Sequence, residues 1–271
     1  MYLFSPTNYY QLMEFDEFCR NLVIIFVTFN RKGITEICLD QINKTRFGST
    51  LAVYDDCSTD FDDKFLRSIS TDAIIRRMKC STGLGKIRFK AHNDFKNDFQ
   101  FIYHTDNDAY HDPHWLHRLF TLHLKYGIPV SLFNDPYHLN CDNIIVNHDG
   151  VSIRRRCPGI SFFYPLNCLD RVLFSKRYSV GRSGFKERPG WDIINSKALG
   201  RFAISEESFV EHYGADGVNT YSNYKCTAVN PTPWLQQGRE AVLDSITNES
   251  RRKELIISHQ WPQTTIPCFT N

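Results

Sequence analysis

Leu22-Val23-Ile24-Ile25-Phe26-Val27 is a continuous apolar run rich in β-branched residues, as expected of a strand buried on both faces of a parallel sheet. After it Ile34, Ile37, Cys38 and Ile42 recur at helical spacing, and Gly48 closes the unit. The alternation continues. Leu51–Tyr54 reads as a second strand that stops at the polar turn Asp55-Asp56-Cys57-Ser58-Thr59-Asp60, which has good helix-capping chemistry. Phe65, Leu66 and Ile69 then give a short helix, Ala73-Ile74-Ile75 a third strand, 83–95 a loop and helix, and Phe99–Tyr103 a fourth strand running into Thr105-Asp106-Asn107-Asp108. Pro113, well suited to a first turn, opens a helix to Tyr126, and Ile128–Phe133 is a further strand.

Strand and helix alternating in this way imply an α/β fold with a mostly parallel central sheet. Ligands of such sheets bind beyond the carboxyl ends of the strands. Thr28-Phe29-Asn30-Arg31, Asp55-Asp56 and Asp106-Asn107-Asp108 all fall at that edge, so one crevice can hold all three. Beyond about residue 134 the pattern is less regular: strands are expected within 144–154 and 160–164, and a Gly-rich polar stretch, 180–190, leads into Trp191-Asp192 and a helix to Leu199. There is no internal repeat.

With 271 residues, 42% apolar and 23% charged, the chain has the size and composition of a globular protein with a sizeable core. A net charge of +2 makes no global case for a nucleic-acid or membrane partner. The basic runs Arg76-Arg77-Met78-Lys79 and Arg154-Arg155-Arg156 read first as solvated strand or loop ends. Nine cysteines, an odd number without a C-x-x-C pair, favour reduced thiols and a cytoplasmic location. No stretch has the ~18 apolar residues of a spanning helix, and Met1–Tyr10 lacks the regions of a signal peptide, so no transmembrane segment is expected.

Asp106 and Asp108, one residue apart at the end of an apolar strand, make a compact oxygen site of the kind that Mg²⁺ or Mn²⁺ takes together with substrate phosphates and water. Alone, such a pair is equally a capped loop. Two other patterns lead nowhere. His111, His114 and His117 recur every three residues, but such positions drift around a helix and no fourth zinc ligand is in view. Gly83-Leu84-Gly85-Lys86 fails as a phosphate loop, with Cys80 and Ile87 where Gly and Ser/Thr are needed, and as a dinucleotide fingerprint for want of a third Gly.

Three stretches in order, Val23 to Arg31, Ala52 to Asp60 and Phe101 to Asp108, resemble glycosyltransferases of the GT-A fold, especially the inverting family 2. Their counterparts read apolar-T-Y-N-R, apolar-D-D-G-S-T-D and apolar-D-x-D. The resemblance extends through Gly190-Trp191-Asp192, similar to the acidic acceptor-side motif, and Ser208-Phe209-Val210-Glu211-His212-Tyr213-Gly214, similar to the segment bearing a metal-ligand histidine. It covers about residues 21–218 as a single GT-A domain, with an N-terminal extension, 1–20, and a C-terminal extension, 219–271, packed on it.

The resemblance implies that Thr28, Phe29 and Arg31 border the nucleotide, with the Phe29 ring offered to the base. Asp56 would accept from the base imide, favouring uracil; Asp55 would touch the ribose or be structural; and Arg88 or Lys86 would lie near the nucleotide. Asp108 and His212 would hold Mn²⁺ or Mg²⁺, with Asp106 reaching it through water or contacting the ribose, and Asn107 between them on the donor side. Asp192 would be the base that deprotonates the acceptor, with Trp191 beside the acceptor sugar. Two departures stand out: Cys57 replaces the usual Gly, and a lone Asp192 stands where many relatives have Glu-Asp, which leaves Glu187, Glu206 and Glu207 as alternative bases.

The expected function is therefore inverting, divalent-metal-dependent transfer of a sugar from a nucleoside diphosphate, UDP favoured, to an acceptor hydroxyl. A glycan is the favoured acceptor, and a modified nucleic acid stays open. A lid over the donor is expected at Gly181–Gly190. The rivals are a nucleotidyltransferase that makes sugar nucleotides, whose Gly-rich, Arg-containing loop is replaced here by Thr28-Phe29-Asn30-Arg31, and a non-catalytic sugar-binding protein.

Overall fold

A computed structural model describes residues 13–134, 144–166, 191–213 and 228–238, with the backbone alone for 191–194. Its elements run α1 (Phe15–Arg20), β1 (Leu22–Thr28), α2 (Lys32–Thr45), β2 (Thr50–Asp55), α3 (Asp63–Ile69), β3 (Ile74–Arg77), α4 (Leu84–Phe95) and β4 (Phe101–Asp106). Next come β5 (Ala109–His111), α5 (Trp115–Tyr126), β6 (Val130–Ser131), β7 (Ile144–His148), β8 (Val151–Arg154), β9 (Ser161–Pro165), α6 (Trp191–Leu199), β10 (Phe202–Ser205) and β11 (Val210–His212).

Among the described residues nine strands form one sheet in the order β3-β2-β1-β4-β9-β6-β10-β8-β7, and β11 and β5 form a separate two-stranded ribbon. β3, β2, β1 and β4 are mutually parallel, as are β6 and β10, whereas β9 runs against β4 and β6, and β8 against β10 and β7. Helices cover both faces. Along β1 alternate side chains serve two cores: Leu22, Ile24 and Phe26 pack with α2 and α5, and Val23, Ile25 and Val27 pack with Ile87 and Ala91 of α4 and Leu199 of α6. That two-sided burial explains the uninterrupted apolar run.

Register sets the site. Thr28 pairs with Asp55 and Val27 with Asp106, so the three polar strand ends lie along one edge of the sheet. β9 begins at that edge, with Ser161 opposite Thr105, and the Oγ of Ser196 on α6 accepts from Cys157 N (3.1 Å) just before it.

The second half of the chain departs from the pattern read above. The expected strand at 128–133 shrinks to Val130–Ser131, because Pro129 has no N–H to donate and Leu132 N donates to the Ser161 hydroxyl (3.0 Å) instead of a strand. Residues 144–154 are a hairpin rather than one strand, turned by Asp149 and Gly150 at φ 50° and 70°, as the hairpin signature Asp-Gly allows. α5 starts at Trp115, two residues after Pro113, because 112–114 form a turn of their own, in which Asp112 Oδ1 accepts from His114 N (2.7 Å) and the Asp112 carbonyl from Trp115 N (3.0 Å).

Candidate active site

The turn after β1 is built around Asn30 and Arg31, two successive left-handed residues at φ 55° and 65°. Asn30 is held on every side: its N–H donates to Ser58 Oγ (2.7 Å), its Oδ1 accepts from Thr59 N (2.7 Å), and its carbonyl accepts from Asn107 Nδ2 (3.0 Å) and Thr35 Oγ1 (3.2 Å). Asparagine suits such backbone because its short amide replaces local backbone bonds. These bonds tie the turns after β1, β2 and β4 together. Thr28 faces inward, its hydroxyl 3.2 Å from that of Thr35.

After β2 the two aspartates diverge. Asp55 is fully buried, accepts from Ser58 N (3.1 Å) and the Ser58 hydroxyl, and forms an ion pair with Arg77 Nε (3.3 Å); burial raises its pKa, against the pull of Ser58 and Arg77. This geometry is that of a turn anchor. Asp56 Oδ1 accepts from Thr82 N (2.6 Å), and its Oδ2 from Ser81 Oγ (2.9 Å) and Gly83 N (2.9 Å). Both oxygens are thus spent on the loop that precedes α4. Cys57, at the position where glycine was expected, takes φ 67°.

α4 directs Arg88 inward. The Arg88 side chain is buried, and its Nη2 bonds Asp106 Oδ1, whereas Lys86 on the same helix is exposed. Behind this pair, Tyr164 Oη lies 2.9 Å from His92 Nδ1 and 3.2 Å from His104 Nε2, a buried network that links α4, β9 and β4. Burial, aided by the neighbouring Arg88, holds His104 well below the ordinary histidine range.

The β5–β11 ribbon brings together residues about a hundred positions apart. His212 pairs with Ala109, and Tyr213 N donates to Asp108 O (2.9 Å). His212 Nε2 consequently sits 3.2 Å from Asp108 Oδ2, the same oxygen that bonds Arg31 Nη1. Burial would raise the Asp108 pKa, but His212 and Arg31 outweigh it and hold the carboxyl well below the usual range. Burial opposes a charge on His212, yet Asp108 draws its pKa upward. Burial raises Asp106, partly countered by Arg88.

The residues named from the sequence therefore separate. Thr28, Arg31, Asp55, Asp56, Arg88, Asp106, Asn107, Asp108 and His212 gather at one edge, and Phe29 lies half-buried in the turn after β1. Trp191 and Asp192 are on the first turn of α6, with their side chains outside the described residues, as are Gly181–Gly190 and Glu187. Asn30, Ser58, Arg77 and the Ser81–Gly83 loop were missed; their roles rest on partners far away in sequence. The three histidines of 111–117 do not converge: His111 bonds Tyr103 Oη (2.9 Å), His114 precedes α5, and His117 stacks on Phe15 at 3.8 Å.

The model of glycosyl transferase family 2 matches residues 23–209, from β1 to the residue before β11. The chain belongs to glycosyl transferase family 2. No curated protein matches the sequence. Among solved structures, residues 1–349 of S. aureus TarS superpose with a TM-score of 0.52 at 14% identity, over 74% of this chain and 63% of that one. A longer TarS structure gives 0.50 at 14% identity, over 87% of this chain and 42% of the other. This family 2 chain thus spans under two thirds of the TarS chains, and at such identity the likeness shows the fold alone: a GT-A domain.

Among the described residues no three His, Cys, Asp or Glu side chains cluster as a metal site. Asp108 Oδ2 and His212 Nε2, 3.2 Å apart, nevertheless have the spacing of two adjacent ligands of one ion with bonds of about 2.1 Å. A carboxylate and an imidazole suit Mn²⁺, and Mg²⁺ commonly keeps several waters and substrate phosphates in its shell. The donor set thus fits a divalent ion shared with a diphosphate. Among the described residues no helix is long and apolar enough to cross a membrane.

Proposed function

We propose that this family 2 enzyme transfers a sugar from a nucleoside diphosphate to an acceptor hydroxyl with inversion, and that the donor diphosphate lies over Asp106, Asp108 and His212. The observation that carries the reading is the meeting of Asp108 Oδ2 and His212 Nε2 at the edge where β1, β2 and β4 end. Asp108 and His212 would hold Mn²⁺ or Mg²⁺, with Asp106 on the water or ribose side. Such an ion supplies charge neutralisation for the departing diphosphate. Arg31 and Arg88 add positive charge beside the same oxygens. Thr28 and Asn107 serve as scaffold for the turn that presents Arg31, and Phe29 borders the base. The uracil preference rests on Asp56, whose imide contact would compete with the donors of the 81–83 loop; Asp55 holds the turn.

Asp192, on the first turn of α6, is the base we assign to the acceptor hydroxyl, with Trp191 beside the acceptor sugar; the favoured acceptor is a glycan. α6 is tied through Ser196 to the segment entering β9 at the site edge, which supports its helix facing the reaction. Asp192→Asn keeps size and hydrogen bonding but cannot take the proton. It should bind donor normally while turnover falls by a factor on the order of 10² to 10⁴. Asp108→Ala should instead weaken donor binding. Near-normal turnover of Asp192→Asn would reject the base.

A further inference from the structure

The same carboxylate oxygen is claimed twice. Asp108 Oδ2 accepts from Arg31 Nη1 and faces His212 Nε2 at 3.2 Å, and the Arg31 and Asp108 side chains are only 6% and 7% exposed. Arg31 is not free to wander, because its backbone sits in the left-handed pair locked by Ser58, Thr59, Thr35 and Asn107. Asp106 has its own arginine, Arg88. Two guanidinium groups thus already balance two carboxylates without any added ion.

We infer that Arg31 is a built-in counter-cation that occupies Asp108 until donor diphosphate arrives, and so couples divalent-ion binding to nucleotide binding. The inference rests on the metal reading above. A divalent ion joining Asp108 and His212 would add two positive charges beside carboxylates that Arg31 and Arg88 already balance, with the Arg31 guanidinium on the ligand oxygen itself. Like charges that close in a low-dielectric site repel strongly. A diphosphate removes the obstacle in two ways: it compensates the ion, and it gives the Arg31 fork a bidentate oxyanion partner in place of Asp108. The ion alone should therefore bind weakly, and Arg31 should be the residue responsible.

Mn²⁺ binding by the whole protein, followed by electron paramagnetic resonance with no nucleotide present, tests this without turnover. Arg31→Gln should bind Mn²⁺ alone tighter by about tenfold or more, and the enhancement that UDP gives the wild type should shrink in the variant. Arg31→Met removes the charge in a different shape and should behave alike; Arg31→Lys keeps it and should resemble the wild type. If UDP promotes Mn²⁺ binding by the wild type but neither neutral variant binds Mn²⁺ alone any tighter, the counter-cation role is overturned and the metal reading stands. If no form binds Mn²⁺ even with UDP, both fall. Melting curves identify any variant that fails to fold, and the other neutral variant then decides.

Discussion

Asp56→Asn distinguishes a residue that reads the nucleotide base from one that shapes its pocket. Asp56 is 5% exposed and accepts from three residues: Thr82 N at 2.6 Å, Ser81 Oγ at 2.9 Å and Gly83 N at 2.9 Å. Asparagine keeps one acceptor oxygen and turns an NH₂ toward the others. The Ser81 hydroxyl can rotate and accept instead, but one backbone N–H then faces a donor. A buried donor left unsatisfied costs about 1–3 kcal/mol, and exchanging a charged for a neutral acceptor loses about 1 kcal/mol more. The folded state should therefore lose about 2–4 kcal/mol, and α4, which begins at Leu84 and carries Arg88, should lose its N-terminal anchor. Urea denaturation without ligand reads the stability and calorimetry reads UDP affinity. A variant as stable as the wild type that has lost UDP affinity would refute the clamp and return Asp56 to direct recognition of the base.

Two predictions concern stability. Cys57→Gly should stabilise the protein by about 0.5–1 kcal/mol in urea, since φ 67° costs a side-chain-bearing residue about 1–2 kcal/mol and glycine gives part of that back in chain entropy; a destabilised variant would show that the thiol matters more than the backbone. Burial pushes His92, His111 and His123 down to about 4, 3 and 4 from 6.5. The unfolded chain therefore binds more protons below pH 6.5, and the stability these neutral rings share above that pH is lost as pH falls toward 4, by up to about 3 kcal/mol each. The melting temperature should fall steadily from pH 6.5 to 4.5, and a flat profile contradicts this.

The first half of the fold was legible because β1, β2 and β4 are covered on both faces, so that their sequences carry apolar runs ending in polar turns. The ribbon was not: β5 and β11 have three residues each and exist through pairing with one another, which no local pattern records. The hairpin at Asp149-Gly150 left a turn signal that the irregular residues around it obscured. Asp106 and Asp108 could be marked as a pair from spacing, but the approach of His212 to Asp108 came through the resemblance alone. Asp56 illustrates the limit differently: its partners Ser81, Thr82 and Gly83 lie 25 to 27 residues on, and a turn aspartate looks the same in sequence whether it binds a ligand or a loop.

Asp108 and His212 are the proposed cation site of a donor diphosphate. Calorimetric titration of UDP in Mn²⁺ and again in EDTA, for the wild type and His212→Ala, measures it most directly. UDP should bind the wild type tightly only with Mn²⁺, and His212→Ala should lose most of that difference, since the ion is left with one protein ligand fewer. Equal UDP affinity in Mn²⁺ and EDTA, or an unchanged metal effect in His212→Ala, would contradict it.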